Sequence, residues 1–480
     1  MAVEVSVAGG IPGITIVGMP DAAVLEARYR VKNAIKYLGF EVPRAHVTVN
    51  LAPSELRKTG TGLDLAIATG VLACTGQIPT RGLDGCLLVG ELSLSGSVSP
   101  VRGIVAYQRL AEEQGLLFVG PPGSASVNGS EVRVIQNLAE LKQGVQSLPE
   151  VPRGSGDKAH DECARRSVVD FSEVIDQEMA KRAFVIAASG GHGMLMVGPP
   201  GAGKSMMAKR MASILPPLTE AEVAESLLIH SVAGQDLASI REGVRPFRAP
   251  HHSISTGGLL GGGRPVRPGE VTLAHNGVLF LDELPEFGPG TLQSLRQPLE
   301  DHEVRLVRVE GTFVFPCDFL LVAAANPCPC GYLGDPDHTC TCSPGRIQTY
   351  QSRIGGPLMD RIDVLVDVAR PSSKRIIAGE EGTSSRDMAE LVARAQSFSS
   401  WRRARSKVDK PDRAKSVPEL ELDGPARATL EGTSARLGLG GRNIVRIARV
   451  ARTIADISES ELVGRDHVME ACLYRTRASL

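Results

Sequence analysis

Aromatic residues are scarce in this 480-residue chain: 11 Phe, 6 Tyr and 1 Trp, or 4% of the total. Extended platforms for stacking bases are therefore excluded, and any nucleic acid would have to be held through charge. An excess of one sign of charge is also missing. The 53 Lys and Arg nearly balance 54 Asp and Glu, for a net charge of −1, so a basic surface would have to be local. No apolar run approaches the roughly 18 residues that cross a bilayer. The first residues show no basic stretch leading into a long apolar one, so neither a membrane partner nor a signal peptide is expected. Nine cysteines, unevenly placed, suit a reducing cytoplasm better than a disulfide framework.

Two motifs stand out against this ordinary background. Residues 198–205 read GPPGAGKS, a complete G-x-x-x-x-G-K-[ST] loop. An apolar run precedes it, Met194-Leu195-Met196-Val197, and the stretch Met206 to Leu215 that follows reads as helix. Strand, loop and helix in that order are what a phosphate-binding loop needs. Gly198, Pro199, Pro200, Gly201, Ala202 and Gly203 supply a backbone that can curl its N–H groups around phosphate oxygens at a helix N-terminus. Lys204 should reach the β- and γ-phosphates of ATP, and Ser205 should hold Mg²⁺. About 80 residues on, the run Val278-Leu279-Phe280-Leu281 ends in Asp282-Glu283. Asp282 at that strand tip can bind the metal side of Mg-ATP, and Glu283 can polarise water.

A third apolar run, Leu320 to Ala325, ends at Asn326, whose amide can orient the attacking water. Arg361 lies in a short turn, and Arg442 follows Gly440-Gly441 at a helix start. The pattern divides the chain. Residues 1–148 mix strands and helices as an α+β domain, with strands at Val3–Val7, Pro12–Val17 and His46–Leu51 and helices at Asp21–Leu38 and Gly62–Thr75. Residues 149–168 read as a linker. Residues 169–375 alternate strand and helix, which predicts a parallel sheet in an α/β core. Residues 385–480 carry helical periodicity alone.

The order of these motifs resembles that of the AAA+ ATPases, in their magnesium-chelatase-like branch. The runs DFSEVIDQEMAKRA (170–183), FRAPHHS (247–253), RPGEVTLAHNGVLFLDELPEF (267–287), NPCPCG (326–331) and ARTIAD (451–456) are similar to the YifB/ComM family over nearly the whole chain. The resemblance implies a hexameric ATP hydrolase with a helical lid over 385–480. It implies that Asn326 is sensor 1, Arg361 an arginine finger acting on a neighbouring subunit, and Arg442 sensor 2. The extra helix of that branch would fall in Pro250–Gly263, and its hairpin before sensor 1 in Glu300–Pro316. By the same resemblance, NLAPSELRKTGTGLDLAIA (50–68) implies a Lon-protease-like fold for residues 1–148. Lys58-Thr59-Gly60-Thr61-Gly62 offers no serine and Ser54 lies upstream, so this domain is expected to be non-proteolytic. A strand usual in the family ahead of Met1-Ala2-Val3 is missing, through an upstream start or for want of an edge strand.

Four cysteines, Cys328, Cys330, Cys340 and Cys342, fall in a Cys-rich loop at 326–345 that is poor in apolar residues. Zn²⁺ held by four thiolates would order such a loop, with His338 able to replace one. The alternative is a reduced, metal-free loop. Cys317 is expected in the core, and Cys74, Cys86, Cys163 and Cys472 as small buried hydrophobes. His251-His252 lack a third ligand and read as structural or pore-facing.

The substrate is less plainly written. Arg305 and Arg308 on the hairpin, with Arg264 and Arg267 on the insert, favour a motor that tracks DNA phosphates. Resemblance to ComM adds branch migration during natural transformation. A protein-remodelling or magnesium-chelatase-type motor is the alternative, and a switch without turnover a third.

Overall fold

The computed structural model describes residues 1–55, 57–124, 131–151, 169–309, 311–379, 381–405, 412 and 415–475. Most of the expected linker, and Cys163 with it, lies outside them. The chain forms two compact units. One comprises Met1–His160 with Leu227–Arg241, the other Asp161–Ser226 with Glu242–Leu480.

In the first unit, Ala2–Ala8 pairs antiparallel with His46–Ala52, and Gly13–Val17 lies parallel on the other side of that strand. Alternate residues Val47, Val49 and Leu51 point into the core, as the two-residue period of a strand requires. Helix Ala22–Tyr37 starts at Asp21, whose Oδ1 accepts from the Val24 N–H at 2.9 Å, a side-chain N-cap. It buries Val24, Ala27, Val31, Ala34 and Ile35. A second sheet of parallel strands, Cys86–Leu88, Leu117–Gly120 and Val132–Val134, completes the unit. In the Lys58–Gly62 loop the Lys58 ammonium is buried on the Pro53 carbonyl, and the Thr61 hydroxyl donates to Glu91 at 2.6 Å. Residues 227–241 were expected within the α/β core but belong here. The Ser231 carbonyl accepts from Gly103 at 2.9 Å and its hydroxyl from Val105 at 3.2 Å, covering the start of helix Ile104–Glu113.

The second unit is built on five parallel strands in the order Phe247–Arg248, Val278–Leu281, Leu320–Ala325, Met194–Val197, Val364–Asp367. The three longer apolar runs read from the sequence are its three central strands. Their residues alternate between two cores. Met194, Met196, Phe280, Val322 and Ala324 face one, with Phe171 and Phe184. Leu195, Val197, Leu279, Leu281, Leu321 and Ala323 face the other. Burial on both faces is why these strands read as continuous apolar runs. Between Phe247–Arg248 and Val278–Leu281 come the short helix Thr256–Leu260 and a two-stranded turn, Gly261–Gly262 with Arg267–Pro268. The hairpin pairs Glu303–Arg308 with Gly311–Pro316. It is shorter than expected, since Glu300 belongs to helix Arg296–Asp301.

Helices Ser385–Arg405, Gly424–Leu437, Gly441–Ile457 and Arg465–Leu473 pack as part of this same unit. Beyond Arg442 at its start, the arginines interleaved along Gly441–Ile457 are not an exposed basic face. Arg452 is fully buried and bonded to Asp456 and the Glu461 carbonyl, and Arg446 is buried beside Asp360. No helix among the described residues is long and apolar enough to cross a membrane.

Candidate nucleotide site

The site lies where the parallel strands end, the usual place for ligands in an open α/β sheet. Met194–Val197 runs into the 198–205 loop, and helix Lys204–Ile214 leaves it. Gly201 and Gly203 hold φ of +80° and +85°, which side chains with a Cβ avoid. Gly198 has a different constraint: a Cβ there would sit 2.1 Å from the Val368 carbonyl oxygen. Pro200 to Ser205, with Met206, Asp282, Glu283 and Asn326, line a cavity of about 380 Å³. Gly198 and Pro199 stand behind it, their carbonyls accepting from Lys204 Nζ at 2.7 and 3.0 Å.

Lys204 Nζ also donates to Asn326 Oδ1 at 3.1 Å. The loop lysine and the strand-tip amide therefore meet across the cavity. Burial pulls the Lys204 ammonium below its ordinary value, against the opposing pull of Asp282 and Glu283. Ser205 Oγ donates to Asp282 Oδ2 at 2.5 Å. A hydroxyl and a carboxylate in contact at a phosphate loop are hard oxygen donors of the kind Mg²⁺ takes. Glu283 adopts φ +50°, and its N–H donates to Asp282 Oδ1 at 2.9 Å. A residue held in left-handed backbone at a strand tip is a common mark of a functional position.

Arg361 and Arg442 are not in this cavity lining. Arg361 Nη2 pairs with Glu300 Oε1 at 2.7 Å, and Arg442 Nη1 with Asp360 Oδ2 at 2.7 Å. Arg442 stands in the first turn of Gly441–Ile457 and is 80% exposed.

The structure adds one residue that sequence reasoning set aside. His252 Nδ1 lies 3.2 Å from Glu283 Oε2, so this imidazole faces the cavity carboxylate. The pairing Phe247↔Val278 sets Phe247–Arg248 beside Val278–Leu281. A residue just past the end of one parallel strand falls beside the tip of the next, the signal that could have found it.

Cys328, Cys330, Cys340 and Cys342 bring their sulfurs within 4.8 Å of one another. Separations of 3.3, 3.6 and 3.7 Å link Cys328, Cys330 and Cys340. Thiolates about 2.3 Å from a tetrahedral zinc stand about 3.8 Å apart, so the donor set fits that ion. Backbone N–H groups of Tyr332 and Thr341 draw the Cys330 thiol down to about 6, whereas, against the pull of nearby N–H groups, desolvation and the neighbouring sulfurs push Cys340 up to about 12 and raise Cys342, so the four thiols share their protons unequally. His338 is not a fourth-ligand substitute. It stacks on Tyr332 and accepts from Arg370 at 2.9 Å. Cys317 is buried as expected, its thiol pushed up to about 12 by desolvation. Cys74 is exposed instead, and Cys86 and Cys472 are half-buried.

The sequence family described as magnesium chelatase, subunit ChlI, matches residues 170–376; its N-terminal and C-terminal counterparts match 3–122 and 382–475. YifB of Escherichia coli (strain K12) is 38% identical over 99% of this chain and 94% of its own length. Competence protein ComM of Haemophilus influenzae is 36% identical over 100% of this chain and 95% of its own. The chain belongs to the YifB/ComM family. That family is magnesium-chelatase-like, and the parallel sheet with its phosphate loop is that of an AAA+ ATPase core. The magnesium-chelatase 67 kDa subunit of Chlorobaculum parvum is a more distant relative, 27% identical over 33% of this chain and 24% of its own.

Proposed function

We propose that this YifB/ComM-family chain is an ATP hydrolase that works as a homo-hexameric motor on DNA in the cytoplasm, promoting branch migration of the kind natural transformation uses. The observation that carries hydrolysis is convergence. Lys204, Ser205, Asp282, Glu283 and Asn326 come from two strand tips and one helix start to a single cavity. Lys204 holds the β- and γ-phosphates. Ser205 and Asp282 hold Mg²⁺, which when bound neutralises charge on the transferring phosphoryl group. Asn326 orients a water against the γ-phosphorus and Glu283 takes its proton. As the new P–O bond forms, the bond to the β-phosphate oxygen breaks and ADP leaves. Arg361 acts as a finger on the γ-phosphate of a neighbouring subunit and Arg442 as sensor 2, and both must leave their carboxylate partners to do so.

DNA is supported by the hairpin. Arg305 is more than half exposed although paired with Glu303, Arg308 is exposed, and Val309 at the tip is 95% exposed. Arg264 and Arg267 on the insert are exposed as well. Together they offer charge without a stacking platform, as sequence-independent phosphate binding requires. One relative is named a competence protein, which fits DNA as the substrate. The four thiolates would hold a structural Zn²⁺ behind Asn326. Steady-state ATP hydrolysis measured without DNA and with linear, forked and four-way DNA tests the reading. Stimulation by branched DNA supports it, and hydrolysis indifferent to all three favours a protein-remodelling motor.

A further inference from the structure

The Cys-rich loop is packed directly on the phosphate loop. Asn326, whose Oδ1 accepts from Lys204 at 3.1 Å, stands two residues before Cys328. Between them the Pro327 carbonyl accepts from Gln351 Nε2 at 3.1 Å. Just past Cys330, Gly331 holds φ +85°, and its N–H donates to the Cys328 carbonyl at 2.9 Å. A Cβ built on Gly331 would lie 2.5 Å from Pro200 Cδ, so this backbone rests on a proline of the phosphate loop. Arg370 makes a second bridge. Its Nε donates to the Pro200 carbonyl at 3.3 Å, and its Nη1 to His338 of the Cys-rich loop at 2.9 Å. The order of the Cys-rich loop is therefore felt at both Asn326 and Pro200.

Clustered thiolates are also the groups that peroxides oxidise. Cys328 is buried, whereas Cys330, Cys340 and Cys342 are half-buried and open to a small solute. Cys330 and Cys340 come from opposite ends of the loop, with sulfurs 3.6 Å apart, so one can attack and the other resolve. A Cys330 thiolate attacks hydrogen peroxide: an S–O bond forms, the O–O bond breaks and hydroxide leaves. The Cys340 thiolate then attacks the sulfenic sulfur: the S–S bond forms and a second hydroxide leaves. The two sulfurs lose two electrons, peroxide gains them, and two protons from solvent turn both hydroxides into water. Only two thiolates then remain for Zn²⁺. The ion dissociates, and Cys328 and Cys342 take up protons from solvent.

We infer that the four-cysteine loop is a peroxide-sensitive modification site whose oxidation switches off turnover at the nucleotide site. The inference rests on the proposed zinc binding by these thiolates and on the proposed ATP hydrolysis. With the ion bound, the loop is closed and Asn326 faces Lys204. With Cys330 drawn onto Cys340, nothing ties Cys328 to the other sulfurs, and the few apolar residues of 326–345 cannot hold the segment alone. Asn326 then loses its register against the attacking water. Lys204, Ser205 and Asp282 lie outside the Cys-rich loop, so nucleotide still binds while turnover falls.

The full chain, purified with reductant and without chelator, would be treated with a small excess of hydrogen peroxide. Zinc release is followed with a colorimetric indicator, disulfides by mass spectrometry of unreduced peptides, and ATP hydrolysis on the same samples. Zinc should leave as a Cys330–Cys340 disulfide appears, and turnover should fall by about 100-fold along the same time course. Binding of a fluorescent ATP analogue should persist. Dithiothreitol with added Zn²⁺ should restore turnover, which irreversible damage would not allow. C328S/C330S should start at the oxidised rate and ignore peroxide. C74S/C163S/C472S, which removes thiols outside the loop, should respond as the wild type does. Zinc retained under peroxide, or released with turnover unchanged, overturns the inference and leaves the zinc and hydrolysis readings standing. So does C328S/C330S turning over at the reduced wild-type rate. A reduced parent without zinc removes the zinc reading and the inference together, and a reduced parent that hydrolyses no ATP removes the hydrolysis reading and the inference together.

Discussion

Arg361 Nη2 donates to Glu300 Oε1 at 2.7 Å within one subunit. The same carboxylate takes Arg296 at 3.3 Å, and these hydrogen bonds, Arg361 first, hold Glu300 below the usual carboxylate range. Both side chains of the pair are more than a third exposed. Water and salt screen such a pair, so it is easily exchanged for another anion. The arrangement suits an arginine parked on its own subunit until a neighbour offers a γ-phosphate.

Removing that arginine gives the first test. If Arg361 acts on a neighbour's γ-phosphate, R361A should remain folded and bind ATP, with turnover lowered by about 1,000-fold, the scale of an arginine finger's contribution. Mixing it with K204A should restore part of the activity, because each variant supplies the half-site that the other lacks. The rate across mixing ratios, with ring formation followed by light scattering, decides it. No rescue in confirmed mixed rings would remove the trans role.

The cavity residues divide binding from turnover. K204A loses the cation that meets the phosphates, so ATP affinity should fall by about 10- to 100-fold. E283Q should keep ATP bound while turnover drops by about 100-fold or more, since the water loses its base. G198A should fail differently: its Cβ would press on the Val368 carbonyl at 2.1 Å, so the loop itself must shift. Calorimetric nucleotide binding beside single-turnover hydrolysis separates the three. E283Q hydrolysing at the parental rate would end its assignment as base.

Metal content is a separate measurement. If the four sulfurs close a site, protein purified without chelator should carry about one Zn²⁺ per chain. C328S/C330S should carry none. The 326–345 loop should then become more open to protease, because its few apolar residues cannot order it alone. Elemental analysis finding no zinc in the parent protein would remove the claim.

Much of this site was legible because its parts are local. The phosphate loop is contiguous, and the central strands of the sheet are buried on both faces, so they stand out as apolar runs ending in Asp282 and Asn326. The cysteines meet because a tight loop returns on itself. What stayed hidden depends on long-range packing. His252 reaches Glu283 only through the Phe247↔Val278 pairing. Arg446 and Arg452 follow a basic spacing along their helix, yet both are buried against carboxylate and carbonyl groups that come from other turns and segments. Cys74 is exposed at the end of a helix whose larger apolar residues, Leu65, Ile67, Val71 and Leu72, are buried. Nor did periodicity show that 227–241 leaves the α/β core for the first unit.

The substrate prediction turns on the hairpin. Arg305 is bonded to Glu303 at 2.5 Å, so DNA would have to compete with that carboxylate, whereas Arg308 points toward Gly262 of the insert. If both meet phosphates, R305A/R308A should weaken binding to every DNA sequence alike. The slope of log affinity against log salt should fall by about one for each phosphate that is no longer neutralised. Replacing Glu303 with Gln should act in the opposite direction, because Arg305 is then released to the phosphate. Fluorescence anisotropy on a labelled fork across a salt series, with strand exchange on four-way DNA beside it, reads both effects. E303Q binding more tightly and R305A/R308A more weakly, with the salt slope moving in step, would identify the hairpin as a phosphate-tracking element. Unchanged affinity in both variants would move the search for a substrate to polypeptide.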